Sequence, residues 1–325
     1  MSALSKGSWR GCLIIAAVLA MLAGAASAEA AAPAKPNTPR KVYLALGDSL
    51  AFGYQQAKVI ANLPNPSPTL FNTGYVNVFQ FGSSLTSSTG FNARYPGVQT
   101  VNLGCPGETS STLLNATNST TGCATYPFSI HVNHPGQTQI QKAVAVLNAN
   151  GGKVVPVTID IGANDLLGLV RSCTTNGVIS LTCIQSGSTT TFATVQQNLD
   201  SALSQIRAVA GYTQIMAVGV YNPLYPAIFQ QTLEQTGDPA AAAVAGAESD
   251  AIAAQLNTLE ATTAARYRAY FVDPLPLFNP AGGGPTNEIS TICTLTAVCG
   301  PLRDIHPTDL GYAELGDLVL ADSGY

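Results

Sequence analysis

Charge is what this chain has least of: 10% of its 325 residues are Asp, Glu, Lys or Arg, against the roughly 25% usual in soluble domains. Few charges among many Ser, Thr, Asn and Gly residues point to an exported protein. There is no basic excess either. The formal net charge is −4, which argues against a nucleic-acid partner and gives no strong attraction to anionic lipid. Tryptophan is limited to Trp9, in a segment expected to be removed, which tilts the reading away from sugar stacking. There are 3 histidines and no C-x-x-C pair, so neither a metal nor a cofactor is expected. No apolar run reaches the ~20 residues of a membrane span, and no internal repeat is visible.

What is present begins with a leader. Lys6 and Arg10 form a positive region, Cys12 to Ala25 is a short apolar run, and Ala26-Ser27-Ala28 is a cleavage site of the A-x-A kind. Residues 1–28 therefore read as a signal peptide, 29–39 as a linker and 40–325 as the functional domain. The expected location is extracellular or periplasmic. Removing the leader takes the basic count from 14 to 12 against 18 acids, a mature charge of about −6. It also removes Cys12, which precedes the apolar run and does not look like a lipoprotein cysteine. Six cysteines remain, an even number that implies disulfides in an exported chain. Sequence proximity pairs Cys105 with Cys123, Cys173 with Cys183 and Cys293 with Cys299.

The domain alternates strand-like and helix-like segments. Near-continuous apolar runs at Lys41 to Leu46, Val98 to Leu103, Lys153 to Ile161, Thr213 to Val220 and Ala269 to Val272 suit parallel strands buried on both faces. Helical periodicity marks Thr138 to Asn150, Phe192 to Ala210, Asp238 to Arg266 and about Thr308 to Leu320. One uninterrupted series of this kind predicts a single α/β domain with a five-stranded parallel sheet. Two excursions, Arg171 to Thr191 and Asn279 to Arg303, each hold a cysteine pair and read as disulfide-pinned loops.

Four features fall where ligands bind such a sheet, beyond the carboxyl ends of its strands. Gly47-Asp48-Ser49-Leu50 follows the first strand, and Ser49 can hold its hydroxyl clear of the backbone ladder. Gly104 follows the second, in Leu103-Gly104-Cys105-Pro106-Gly107. Asn164 follows the third, in Gly162-Ala163-Asn164-Asp165. His306 opens the last helix, in Asp304-Ile305-His306-Pro307. A serine nucleophile needs a base and donors aimed at a developing oxyanion. Histidine, an unshielded glycine N–H and an amide side chain are the residue types for those tasks.

In these four ordered blocks the chain resembles the GDSL/SGNH hydrolase superfamily, over residues 41 to about 320. The resemblance implies a flavodoxin-like, three-layer α/β/α fold and hydrolysis of carboxylic esters, as an esterase or lipase, through an acyl-serine. It makes Ser49 the nucleophile and His306 the base. It makes the N–H groups of Ser49 and Gly104, with the Asn164 amide, the oxyanion hole. The family's acid usually sits three residues before the histidine, where this chain has Arg303. Asp304 is the expected orienting group, with a main-chain carbonyl near Leu302 or Arg303 as the alternative. A monomer acting on a small-molecule or lipid ester is expected, without membrane insertion. The rival readings are a carbohydrate acetylesterase and an inactive secreted binding module.

Other residues carry weaker expectations. Asp48 reads as structural, accepting N–H bonds in its turn, and Asp273 as a turn cap. His131 and His134 read as loop residues. Tyr221, Tyr225, Phe229 and Phe278 suit an acyl pocket or core packing equally well. Asn115 and Asn118 head glycosylation sequons.

Overall fold

A computed structural model describes residues 41–115, 123 and 128–324, all within one compact unit, Pro39–Tyr325. The expected leader, the linker and the Asn118 sequon lie outside the described residues. Along the chain come β1 (Val42–Gly47), α1 (Ser49–Phe52), α2 (Gln56–Ala61), α3 (Tyr75–Phe81), α4 (Gly90–Arg94), β2 (Gln99–Asn102), α5 (Ser110–Leu114) and α6 (Gln139–Asn150). Then follow β3 (Val154–Asp160), α7 (Ala163–Ser172), the hairpin β4 (Thr174–Thr175) and β5 (Val178–Ile179), α8 (Leu181–Ala210), β6 (Ile215–Val218), α9 (Tyr225–Thr236) and α10 (Pro239–Arg266). The chain closes with β7 (Tyr270–Val272), α11 (Leu275–Phe278), α12 (Gly284–Leu295) and α13 (Asp309–Asp322).

Five strands form one parallel sheet in the order β2-β1-β3-β6-β7, the flavodoxin-like order when the small hairpin is set aside. Side chains alternate across it with period two. From β1, Leu44 and Leu46 enter a core with Ile140 and Leu147 of α6 and Leu199 and Leu203 of α8. Tyr43 and Ala45 enter the opposite core with Tyr75 and Phe79 of α3 and Tyr312 and Leu315 of α13. Helices thus cover both faces, because strands apolar on both sides need cover on both. Pro156 lies inside central β3, where a ladder donor is normally required. The β1–β3 register shifts beside it, so the proline falls at a bulge.

The two excursions are more ordered than loops. The first holds the β4–β5 hairpin and then the opening turns of α8, which starts at Leu181 and runs for 30 residues. Ser180 caps it by accepting from Cys183 N. The second holds α12, a helix of 12 residues with Pro285 in its first turn. Cysteine spacing and turn residues masked the helical periods there. All three cysteine pairs expected from proximity are disulfide-linked.

Candidate active site

The β1 strand ends at Gly47, and the chain turns at once into α1. Asp48 is the N-cap of that helix. Its Oδ1 accepts from Leu50 N at 2.9 Å, as expected of a residue that serves the turn. A second buried carboxylate braces the same turn from β3. Asp160 Oδ2 accepts from Asp48 N at 3.1 Å and Ala51 N at 3.3 Å, and Oδ1 accepts from Tyr75 OH at 2.6 Å. Between these two tethered amides lies Ser49, whose own N–H has no acceptor among the described residues. Ser49 Oγ makes one long bond, 3.5 Å to Asp48 Oδ1. Asp160 was not singled out by sequence. Its signal is a carboxylate inside the apolar run Val157 to Ile161, which a buried strand tolerates only if donors surround it.

His306 approaches from the loop before α13. Its Nδ1 is 2.5 Å from Asp304 Oδ1, and its backbone N–H donates to the same oxygen at 3.2 Å. A spacing of two residues suits this arrangement, because an aspartate naturally closes a turn onto the N–H two residues on. No main-chain carbonyl near Leu302 or Arg303 takes that place. Asp304 Oδ2 accepts from Gln56 N at 2.7 Å. Burial pushes the Asp304 carboxyl up, but the His306 bond and charge and the Gln56 N–H outweigh it, so its pKa lies below the ordinary value. Three more contacts hold the loop. Tyr54 stacks obliquely on His306 with centroids 4.6 Å apart, Gln55 Nε2 donates to Pro307 O, and Tyr221 OH donates to Ile305 O at 2.7 Å. The segment just after the serine therefore supports the histidine.

Asn164 sits in the first turn of α7, beyond β3. The turn into α7 needs Gly162, whose φ of +110° is left-handed and whose Cα faces the buried Glu260. Asn164 Nδ2 donates to Glu108 O at 3.0 Å and Asp48 Oδ2 at 3.1 Å. Asp165 anchors the neighbouring loop by accepting from Ser110 N and Oγ, each at 2.8 Å. Burial, and then the Asp160 charge, push Asp48 well above the ordinary carboxylate value.

Gly104 does not reach this site. Its N–H donates to Asn102 Oδ1 at 2.9 Å, and the Asn102 amide is itself turned by donating to Ala51 O at 2.7 Å. Gly104 packs on the backbone of α1 instead. The glycine that lines the same cavity as Ser49 is Gly107, three residues on, with φ +82° and an N–H that has no acceptor among the described residues. The Pro106-Gly107 dipeptide, a strong turn signal, was the available clue.

Ser49, Gly107, Asn164 and His306 open on one cavity of about 410 Å³. Most of its wall is aliphatic: Leu167 and Val170 of α7, Ile184 of α8, Val220, Ile228 of α9 and Ile252 of α10. Of the four aromatics considered for an acyl pocket, only Tyr221 lines it. Phe278 is fully buried behind Tyr221, centroids 4.2 Å apart, and Tyr225 stacks with Phe229. His131 bonds Phe52 O. His134 Nε2 lies 3.2 Å from Cys123 Sγ, and with Cys105 this is the one metal-like cluster among the described residues. Both its sulfurs belong to a disulfide.

A family model described as the GDSL-like Lipase/Acylhydrolase family matches residues 45–314. Among solved structures, an extracellular lipase from Streptomyces rimosus is 19% identical with a TM-score of 0.51, covering 88% of this chain and 100% of its own. A phospholipase A1 from Streptomyces albidoflavus NA297 is 17% identical with a TM-score of 0.51, covering 88% and 100%. A lipase, Lip_vut3, from a goat rumen metagenome is 17% identical with the same TM-score, covering 88% and 98%. These likenesses are of fold. None of the curated proteins matches the chain.

Proposed function

The chain belongs to the GDSL-like lipase/acylhydrolase family, and on that premise we propose that it is a secreted hydrolase of carboxylic esters working through an acyl-serine. Ser49 Oγ attacks the acyl carbon while His306 Nε2 takes its proton. The carbonyl oxygen becomes an oxyanion. When it collapses, the alcohol leaves with the proton that His306 returns. Water then repeats the sequence on the acyl-serine and releases the acid. Asp304 holds the imidazole with Nε2 toward the cavity and offsets the imidazolium charge.

The observation that carries this reading is the 2.5 Å bond from His306 Nδ1 to Asp304, at the edge of an aliphatic cavity that Ser49 also lines. The oxyanion hole would comprise the N–H groups of Ser49 and Gly107, both without acceptors among the described residues, and the Asn164 hydrogen that Asp48 Oδ2 now accepts. That Asn164–Asp48 bond, at 3.1 Å, would have to give way to the oxyanion. The long Ser49–Asp48 bond leaves the hydroxyl easy to turn. The wall suits an acyl chain better than a sugar, which argues against the acetylesterase reading. Three disulfides support export. No helix among the described residues is long and apolar enough to cross a membrane.

The test is a panel of p-nitrophenyl esters from acetyl to palmitoyl, run beside acetylated xylan and a phospholipid. Ser49→Ala should lose on the order of 10⁴-fold or more in turnover. Phosphonate labelling should disappear with the hydroxyl. Retained activity above a few per cent, free of contamination, would rule out the serine mechanism.

A further inference from the structure

One charged side chain on the cavity wall has no part in the chemistry above. Arg171 lies in the last turn of α7 and lines the same cavity as Asn164 in its first turn. Ala163, Asn164, Leu167, Val170 and Arg171 all reach the cavity, the spacing of one helix face. Arg171 is seven positions after Asn164, about 10 Å of helical rise between their Cα atoms. The cavity therefore runs beside α7 from Asn164 to Arg171, with aliphatic side chains of the same helix between them.

Arg171 is exposed, and its side chain takes part in no ion pair or hydrogen bond among the described residues. The other basic side chain on the wall is His306 at the reactive end. A guanidinium at the end of an apolar channel keeps a permanent charge and a planar fork of donors that fits a carboxylate. It also fits poorly against a methyl terminus, which would have to be accommodated beside it without replacing its hydration.

We propose that this channel binds an acyl chain of about eight carbons whose far end carries a carboxylate received by Arg171. The proposal rests on the ester-hydrolase reading and names the acyl class for it. The length takes that helical rise as the span to be bridged, with an extended alkyl chain advancing about 1.3 Å per carbon. A shorter dicarboxylate would leave its anion within the aliphatic section, where charge is disfavoured. A longer one would carry it past the guanidinium into water.

The test compares two substrates of equal length, p-nitrophenyl octanoate and the mono-p-nitrophenyl ester of octanedioic acid. The ratio of their kcat/KM values is measured in the wild type, Arg171→Gln and Arg171→Lys. The diacid mono-ester should be favoured in the wild type, and Arg171→Gln should reduce the ratio by about fivefold or more, with partial recovery in Arg171→Lys. Rising salt should reduce it too. The mono-ester of butanedioic acid should show no dependence on Arg171. Arg171 is exposed, so these variants should fold; far-ultraviolet circular dichroism checks that. An unchanged ratio with active enzyme would overturn the proposal alone and leave Arg171 as a cation complementing the end of α7. If no ester is cleaved and Ser49 takes no phosphonate, the ester-hydrolase reading fails, and this proposal with it.

Discussion

At the scale of single residues, the site depends on which groups are already engaged. Gly104 and Gly107 are both glycines after β2, yet one N–H is taken by Asn102 and the other has no acceptor among the described residues. Asp304 is engaged in a different sense. Its Oδ1 lies within bonding distance of both the ring and the backbone N–H of His306, the placement of a group that would orient the ring. Asp304→Asn should lower turnover on the order of 10²–10⁴-fold, since the wrong tautomer is favoured and the imidazolium loses its counter-charge. A steady-state assay decides it. Near-normal turnover would mean a Ser49–His306 dyad. Asn164→Ala should cost roughly 10²–10³ in kcat with less effect on KM, because its donor acts on charge that develops in the transition state. A change in KM alone would make Asn164 a substrate-binding group.

At the scale of elements, polar residues at helix and strand ends hold the site's supports together. Behind Asn222, where the chain leaves β6, Asp250 of α10 accepts from Asn222 Nδ2 at 2.8 Å and from Asn279 Nδ2 at 3.0 Å. Asn279 Nδ2 also donates to Glu288 of α12 at 3.2 Å, so the cluster joins α10 to α12. Ser249 and Tyr225 complete its surroundings. Burial first, and then the Glu288 carboxyl hydrogen-bonded to it, raise the Asp250 pKa to about 8. A carboxyl that holds its proton more tightly when folded gives its stability in full below its unfolded value of about 4, and loses it as pH rises through the folded value. The wild-type Tm should therefore fall more steeply between about pH 5 and pH 8.5 than that of Asp250→Asn. Parallel Tm profiles from differential scanning calorimetry would remove Asp250 from this role.

At the scale of the whole molecule, the sheet supplies a rigid edge and the disulfides secure the chain that departs from it. Cys105–Cys123 ties down the loop that carries Gly107, Cys173–Cys183 closes the β4–β5 hairpin against α8, and Cys293–Cys299 secures the end of α12 ahead of Asp304. Each closed loop restricts the unfolded chain, worth roughly 2–4 kcal/mol in the loop-entropy account. Thiol titration of the purified protein from Lys41 onward, denatured without reductant, should find no free cysteine. Two or more would contradict the pairing.

The sequence by itself determined the layout. Strand positions were legible to within about two residues because buried parallel strands write near-continuous apolar runs, and the order Ser49, Asn164, His306 was legible because each follows a strand or opens a helix. The disulfide pairing was legible too, since each partner lies within 18 residues of the other. Tertiary structure decided the rest. Which glycine lines the cavity with Ser49 depended on Ala51 turning the Asn102 amide, and the support of His306 depended on Tyr54 and Gln56 arriving from some 250 residues away. The aliphatic wall drew on α7, α8, α9 and α10, whose cavity-facing residues look, one helix at a time, like ordinary core positions. Apolar periodicity records which side of an element is buried. It does not record whether protein or an open cavity lies opposite, because that is fixed only when the other elements are in place.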